Sequence, residues 1–238
     1  MSKWMVTREG PVAVVSLDDG KANALTLEEF ESLSRALDDV KKSDAGAVVL
    51  IGRDGFFSAG LNLKVLPTLA PEGLMKVLEQ FFVVVGEQLT SFGLPVVAAI
   101  SGHAIAGGAI IAMACDVRIV ADGPYKLGLN EVPGGIALPQ FAVELMRVSV
   151  DARHLVKMTM HGVMVNPQQA VDIGFAEEVV PLADLRRRAV ERATALAELP
   201  AGPYAQTKLA VRGPMIALSK SKLDTEMNAL GKALGGRH

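Results

Sequence analysis

Apolar residues along this chain follow two rhythms. Val12–Leu17, Ala47–Ile51, Pro95–Ile100 and Val117–Ala121 are short apolar runs closed by Gly, Pro or Asp, which is how strands buried in a sheet read. Between them the spacing is helical. Leu27, Phe30, Leu33, Leu37 and Val40 share one face of a helix that Thr26-Leu27-Glu28-Glu29 opens as a capping box. Pro71-Glu72 starts a second helix that reaches about Thr90. Ala109–Cys115 is built from small or helix-compatible residues, carries no charge until Asp116, and reads as a buried helix. Strand and helix in alternation predict an α/β domain. From about Leu138 the pattern turns helical: Val150–Met160, Pro167–Ile173, Leu182–Leu199 and Pro203 to about Leu234. Phe175–Val180 is a short extended piece, and Gly213-Pro214 is expected to break the last helix. The division is an α/β core over 1–180 and a helical region over 181–238. Leu209, Val211, Met215, Ile216, Leu223 and Met227 make the tail apolar enough to serve both the core and an oligomer interface.

Composition narrows this picture. The chain has 238 residues, enough for one large domain or two small ones. Half of them are hydrophobic but only 5% are aromatic, so the core is aliphatic. A net charge of −2 argues against a nucleic-acid binder. Cys115 is the single cysteine, which excludes an internal disulfide framework and suits a reducing compartment. Lys3, Arg8 and Glu9 interrupt the N-terminal apolar runs, leaving no signal-peptide core. The run Ala104–Cys115 is too short to span a bilayer. The expectation is a soluble, cytoplasmic protein with no membrane partner.

Candidate chemistry begins at Gly107-Gly108, where an apolar strand turns into a helix. Free N–H groups at a helix N-terminus, with no bulk beside them, can bind a negative oxygen; the same glycines also suit tight packing on a sheet. Ser58-Ala59-Gly60 is a second small-residue turn. The chain has no GxGxxG and no GxxxxGK[ST]. Ser101, His103 and Asp116 invite a triad, but Ser101 and His103 lie too close in sequence and no G-x-S-x-G elbow is present. His154 and His161 lack metal-ligand spacing, so no metal is expected. Read alone, Glu131 is a surface loop carboxylate, and Lys21, Lys208, Arg212 and Arg186-Arg187-Arg188 are solvated cations.

Four segments taken together change that reading. Lys21-Ala-Asn-Ala-Leu25, Phe57-Ser-Ala-Gly-Leu-Asn-Leu63, Ser101-Gly-His-Ala-Ile-Ala-Gly-Gly108 with Cys115-Asp116, and Gly128-Leu-Asn-Glu-Val132 occur in order. This set resembles the crotonase superfamily, the enoyl-CoA hydratase/isomerase family, and the resemblance extends over nearly the whole chain. It implies a spiral of β-β-α turns followed by a helical trimerisation region, so a homotrimer or a dimer of trimers is expected. It also implies an acyl-CoA thioester substrate in fatty acid metabolism. Coenzyme A then enters as part of the substrate, and no separate cofactor or nucleic acid is needed.

By this resemblance Leu61 and Gly107 supply the two backbone N–H groups of an oxyanion hole, and Glu131 is the acid/base. Lys21, Ala22, Ala24, Ala59, Gly60, Asn62, Leu63, Gly108, Ile110 and Asn130 fall where substrate binds. Lys208 and Arg212, one helical turn apart, are candidates for the coenzyme's phosphates on a neighbouring subunit's ligand. The family's hydratases carry a second glutamate three residues after the oxyanion glycine, where this chain has Ile110. One carboxylate suffices to move a double bond, whereas adding water is better served by two. The pattern is therefore most like that of the Δ3,Δ2-enoyl-CoA isomerases. The alternatives are a hydratase or another hydrolase or lyase of the family, and a non-catalytic CoA- or RNA-binding member. Asn62 stands where the family usually has an acidic residue. Pro133-Gly134-Gly135 directly follows Glu131 and is expected to shape the acyl pocket.

Overall fold

A computed structural model describes residues 4–235, with side-chain burial resolved through residue 229; Lys3 lies outside the described residues. The main sheet has six strands. They are β1 (Trp4–Glu9), β2 (Val12–Leu17), β4 (Ala47–Ile51), β7 (Val96–Ile100), β9 (Val117–Ala121) and β11 (Glu178–Val180), in that spatial order. β1 is antiparallel to β2 and every other pair is parallel. A smaller parallel sheet runs β5 (Gly55–Ser58), β8 (Gly102–Ile105), β10 (Leu127–Gly128), and β3 (Ala24–Leu25) pairs with β6 (Gly60–Leu61).

The chain winds through these sheets in repeating turns. A strand in the main sheet is followed by one in the smaller layer and then by a helix. β2 and β3 lead to α1 (Leu27–Lys41), and β4, β5 and β6 to α2 (Pro71–Phe81). β7 and β8 lead to α3 (Gly107–Ala114), and β9 and β10 to α4 (Gln140–Ser149). The β-β-α spiral is thus present in the structure although the sequence shows no repeat. Strands two to six residues long leave too little pattern for one to be legible.

The apolar runs are continuous because both faces of the main sheet are buried. Val12, Val14, Ala47, Val49, Val97, Ala99 and Ile119 point to one side, where Leu185, Ala189 and Ala193 of α7 (Leu182–Ala197) cover them. Ala13, Val15, Val48, Leu50, Ala98 and Ile100 point to the other, into the larger core beneath α1, α2 and α3. The alternation is the ordinary period of two along a strand. By packing, α7 belongs with the sheet, while α8 (Ala201–Gly235) lies against α2 and α4.

Several elements differ from the sequence expectation. Gly213-Pro214 does not break the last helix; α8 runs through it. Proline leaves the carbonyl four residues back without its donor, but Ala210 and Pro214 both face solvent, so water can take that place. The helix expected over Val150–Met160 starts late: Val150 and Asp151 are not helical, Asp151 N donates to Ile173 O at 2.9 Å, and a 3-10 turn, Ala152–His154, leads into α5 (Leu155–Thr159). It is followed by α6 (Pro167–Asp172). The second helix leaves α2 for a π-helical stretch, Phe82–Leu89. β1 and the short strands of the smaller layer were not anticipated.

Candidate active site

The site forms where neighbouring parallel strands of the smaller layer end. β5, β8 and β10 lie side by side, so the segments after them, Ala59–Leu61, Ala106–Gly107 and Leu129–Glu131, emerge together. Hydrogen bonds hold the first of these to the Ala22-Asn23 loop and join the second to Gly128. Ala59 N donates to Ala22 O at 3.0 Å, Ser58 Oγ donates to Asn23 O at 2.7 Å, and Gly60 N donates to Ser58 Oγ at 3.1 Å. Ala106 N donates to Gly128 O at 2.9 Å. Asn23 anchors the first loop from below: its buried amide donates to Leu17, Phe56 and Phe57 carbonyls at 2.9–3.2 Å.

Glycine is required where these segments meet. A β-carbon on Gly108 would stand 2.1 Å from Ser58 O, and one on Gly60 would stand 2.7 Å from Gly107 N. Gly60 also has φ +82°, a conformation side chains disfavour. Ala106, just before α3, adopts φ 53° and ψ −125°, a sparsely populated conformation of the kind that clusters at functional sites. The outcome is a backbone-to-backbone contact. From Gly107, a β-carbon position lies 3.3 Å from Gly60 Cα and 3.5 Å from Leu61 N. Gly107 is the first residue of α3, so the helix supplies its N–H with no acceptor, and the helix dipole favours negative charge there.

A cavity of about 150 Å³ opens beside this contact. Leu61, Leu63, Phe81, Gly107, Ile110 and Ile136 give it an apolar wall, and Glu131 and Asn130 enter it. Glu131 Oε2 is buried and has no hydrogen-bond partner. Burial pushes the Glu131 carboxyl up to about 7, although the backbone N–H groups of Glu131 and Asn130 pull it back toward its ordinary value. The loop carrying it is closed by Gly134 N donating to Asn130 O at 3.1 Å and Ile136 N donating to Glu131 O at 2.8 Å. Glu131 is the one carboxylate among the described residues of the cavity wall. A buried carboxyl that titrates near neutral pH can take and return a proton, and adjoining N–H donors can hold an oxygen anion.

The expected site residues separate into two groups. Leu61, Gly107, Glu131, Ala59, Leu63, Ile110 and Asn130 line the cavity. Lys21, Ala22, Ala24, Gly60, Asn62 and Gly108 stand behind or beside it. Ala24 pairs with Gly60, Asn62 N donates to Leu25 O at 2.8 Å, and Lys21 is exposed, with its carbonyl accepting from Arg53 Nη1 at 2.8 Å. Phe81, Ala106, Ile136, Ala137 and Pro139 also line the cavity. Sequence reasoning missed them, since nothing local marks Phe81 apart from any other apolar helix residue.

The remaining candidates have structural partners. Lys208 is buried and Arg212 is largely covered, rather than solvated. Lys208 Nζ pairs with Asp116 at 2.7 Å and donates to Leu94 O at 3.2 Å; Arg212 pairs with Asp116 at 3.3 Å and donates to Cys115 O at 3.0 Å. His103 Nδ1 accepts from Lys126 N at 3.0 Å, and Ser101 Oγ donates to Arg53 O at 2.9 Å, so neither belongs to a triad. Burial raises the Cys115 thiol to about 12, which makes it unreactive. Arg186, Arg187 and Arg188 pair with Glu9, Asp184 and Glu178 on the surface. Among the described residues no cluster of side chains could hold a metal ion, and no helix is long and apolar enough to cross a membrane.

Comparison with known proteins bears on the family and the fold. The family model for enoyl-CoA hydratase/isomerase matches residues 7–233. Human mitochondrial enoyl-CoA delta isomerase 1 is 30% identical over 92% of this chain and 72% of its own length. A Thermus thermophilus protein described as a putative enoyl-CoA hydratase is 35% identical over 80% of this chain and 74% of its own. The chain spans 28% of the length of the fatty acid oxidation complex subunit alpha from Shewanella, which it also matches. Among solved structures, human mitochondrial delta3-delta2-enoyl-CoA isomerase superposes with a TM-score of 0.93, covering 98% of this chain and 92% of that one at 26% identity.

Proposed function

The chain belongs to the enoyl-CoA hydratase/isomerase family, and from that premise we propose that it is a Δ3,Δ2-enoyl-CoA isomerase. The observation that carries the reading is the lone carboxylate: Glu131 faces the cavity with Oε2 unpartnered, and Ile110 occupies the wall one turn along α3 from Gly107. The thioester oxygen sits against the Gly107 and Leu61 N–H groups. Glu131 takes a proton from C2, and the resulting dienolate carries its charge on that oxygen. The same carboxyl returns the proton to C4, which moves the double bond from C3–C4 to C2–C3. Proton and electrons balance with no other reactant. Two backbone donors of this kind are each worth on the order of a hundredfold or more in rate. A carboxyl near pKa 7 is matched to a transfer that runs in both directions.

A hydratase is the second reading, favoured by the 35% identity to a protein described as one. Hydration needs a water to be held and activated while a proton is delivered, and the apolar Ile110 offers no help with either. The two readings separate on product mass. Incubated with 3-hexenoyl-CoA, an isomerase yields a conjugated product of unchanged mass. Incubated with crotonyl-CoA, a hydratase yields a product heavier by one water. Faster hydration of crotonyl-CoA than isomerisation of 3-hexenoyl-CoA overturns the isomerase reading.

A further inference from the structure

The mouth and the closed end of the cavity are distinguishable. Leu63, 59% exposed, and the exposed Gly134 and Ala137 form the mouth. Ile110, 1% exposed, and Phe81, 5% exposed, form the end that abuts the core. Phe81 stands beside the anion-binding turn: a β-carbon on Gly107 would lie 3.4 Å from its Cζ.

Phe81 is held from several sides. Its ring stacks on Phe30 of α1 at 5.1 Å between centroids and meets Phe141 of α4 edge-on at 5.2 Å. Phe141 in turn meets Phe82 edge-on at 5.6 Å. Gly86 makes that packing possible, since a β-carbon there would stand 2.8 Å from Phe82 and 3.2 Å from Phe141. In an interior packed at crystal density, such a ring cannot swing aside without displacing its neighbours. The cavity it closes, about 150 Å³, is about half the ~300 Å³ at the low end for pockets that enclose drug-sized ligands.

We propose that Phe81 is the specificity-determining end wall of the acyl pocket, and that this protein takes short-chain acyl-CoA thioesters and excludes long-chain ones. The proposal rests on reading the cavity as an acyl-CoA site. In a chain that enters past Leu63 with its carbonyl at Gly107, the acyl carbons are enclosed by the buried Phe81 and Ile110 rather than led on to solvent. A tail that reaches the ring must bend back to the mouth.

The test is calorimetric binding of hexanoyl-CoA and dodecanoyl-CoA, which are saturated and so cannot react as enoyl substrates, alongside turnover of 3-hexenoyl-CoA and 3-dodecenoyl-CoA. Wild type should bind hexanoyl-CoA at least about tenfold more tightly, and Phe81→Ala should shift the ratio toward dodecanoyl-CoA by about tenfold or more. Phe81→Leu preserves more of the packing and should shift the ratio in the same direction by less. Equal or tighter binding of dodecanoyl-CoA by wild type overturns the proposal, whether or not either variant folds. A ratio unchanged in a folded Phe81 variant overturns it as well. If the binding ratio is as expected but 3-hexenoyl-CoA is not isomerised, the isomerase reading falls and the end wall stands. If neither thioester binds, both fall.

Discussion

Glu131 is poised at the scale of a single side chain: burial raises its carboxyl to about 7 while Oε2 stays unpartnered. As a base it must be ionised in the free enzyme, so kcat/KM for 3-enoyl-CoA should rise with pH and level off above about 7. A flat profile between pH 5.5 and 8.5 would remove Glu131 from that role. Glu131→Gln keeps the size and removes the base, with an expected loss of about a hundred- to ten-thousandfold in kcat. The same burial has a stability consequence of opposite sign. The folded state binds the proton more tightly than the unfolded chain, so Glu131's contribution is intact below pH 4.5 and is lost as pH rises through about 7. At about 1.4 kcal/mol per pH unit, the loss is at most about 3 kcal/mol. Glu131→Gln should therefore melt higher than wild type at pH 8 and show no such gain at pH 4.5, read by thermal denaturation.

Gly108 offers a second test at this scale, because two effects oppose each other. Alanine in place of glycine within a helix normally stabilises by roughly 0.5–1 kcal/mol. Here the added β-carbon would meet Ser58 O at 2.1 Å and Ser58 C at 2.7 Å, backbone atoms that cannot step aside. Overpacking of this kind costs about 1–3 kcal/mol, so Gly108→Ala should destabilise and should reduce activity by spreading the Gly60–Gly107 contact. A more stable and fully active Gly108→Ala protein would show that the two turns need not approach so closely.

Among the elements, α3 is held at both ends for different purposes. Its N-terminus offers Gly107 N–H to the cavity, and its C-terminal carbonyls Ala114 O and Cys115 O accept from Arg212 of α8. Asp116 joins the clasp by pairing with Lys208 and Arg212 and by accepting Val96 N at 2.8 Å. Burial lowers the Lys208 ammonium and Asp116 opposes that shift, so the cation depends on its partner. Removing one member of a buried ion pair strands the rest, at about 3–5 kcal/mol. Asp116→Ala should cost about that in chemical denaturation, and Lys208→Met with Asp116→Asn should recover part of it. A single Asp116→Ala change of less than about 1 kcal/mol would place the cluster among surface pairs of little consequence.

Over the whole molecule, several apolar side chains are left outside the two cores. Leu209, Val211 and Leu218 of α8, and Val148, Val156 and Met160 around α4 and α5, are exposed. Met215 and Met227 of the same long helix are buried against the body, so α8 has apolar residues on more than one side. Assembly into a trimer or a dimer of trimers would cover the exposed set, and light scattering at micromolar concentration should give three or six times the chain mass. A stable monomer under those conditions refutes this expectation.

The sequence by itself determined the strands and helices that have a rhythm of their own. Val12–Leu17, Ala47–Ile51 and Val117–Ala121 are strands with the bounds their apolar runs predict, and the capping box at Thr26 does open α1. Glu131, Gly107 and Leu61 were legible because short motifs around them occur in order, and a motif reports local backbone chemistry. What has no local rhythm was decided by tertiary structure. Two-residue strands such as β3, β6 and β10 exist only because neighbouring strands pair with them. The Gly213-Pro214 signal was overridden because the freed carbonyl lies on the solvent side of a helix whose opposite face, with Met215, Ser219 and Met227, is docked. Lys208 and Arg212 read as surface cations until folding brought Asp116 and the end of α3 against them, Asp116 lying 92 positions from Lys208 and Cys115 97 positions from Arg212. Phe81 became an end wall only when α1, α3 and α4 closed around it. Local sequence encodes period and backbone preference, whereas burial and neighbours far along the chain are set by how the turns of the spiral stack.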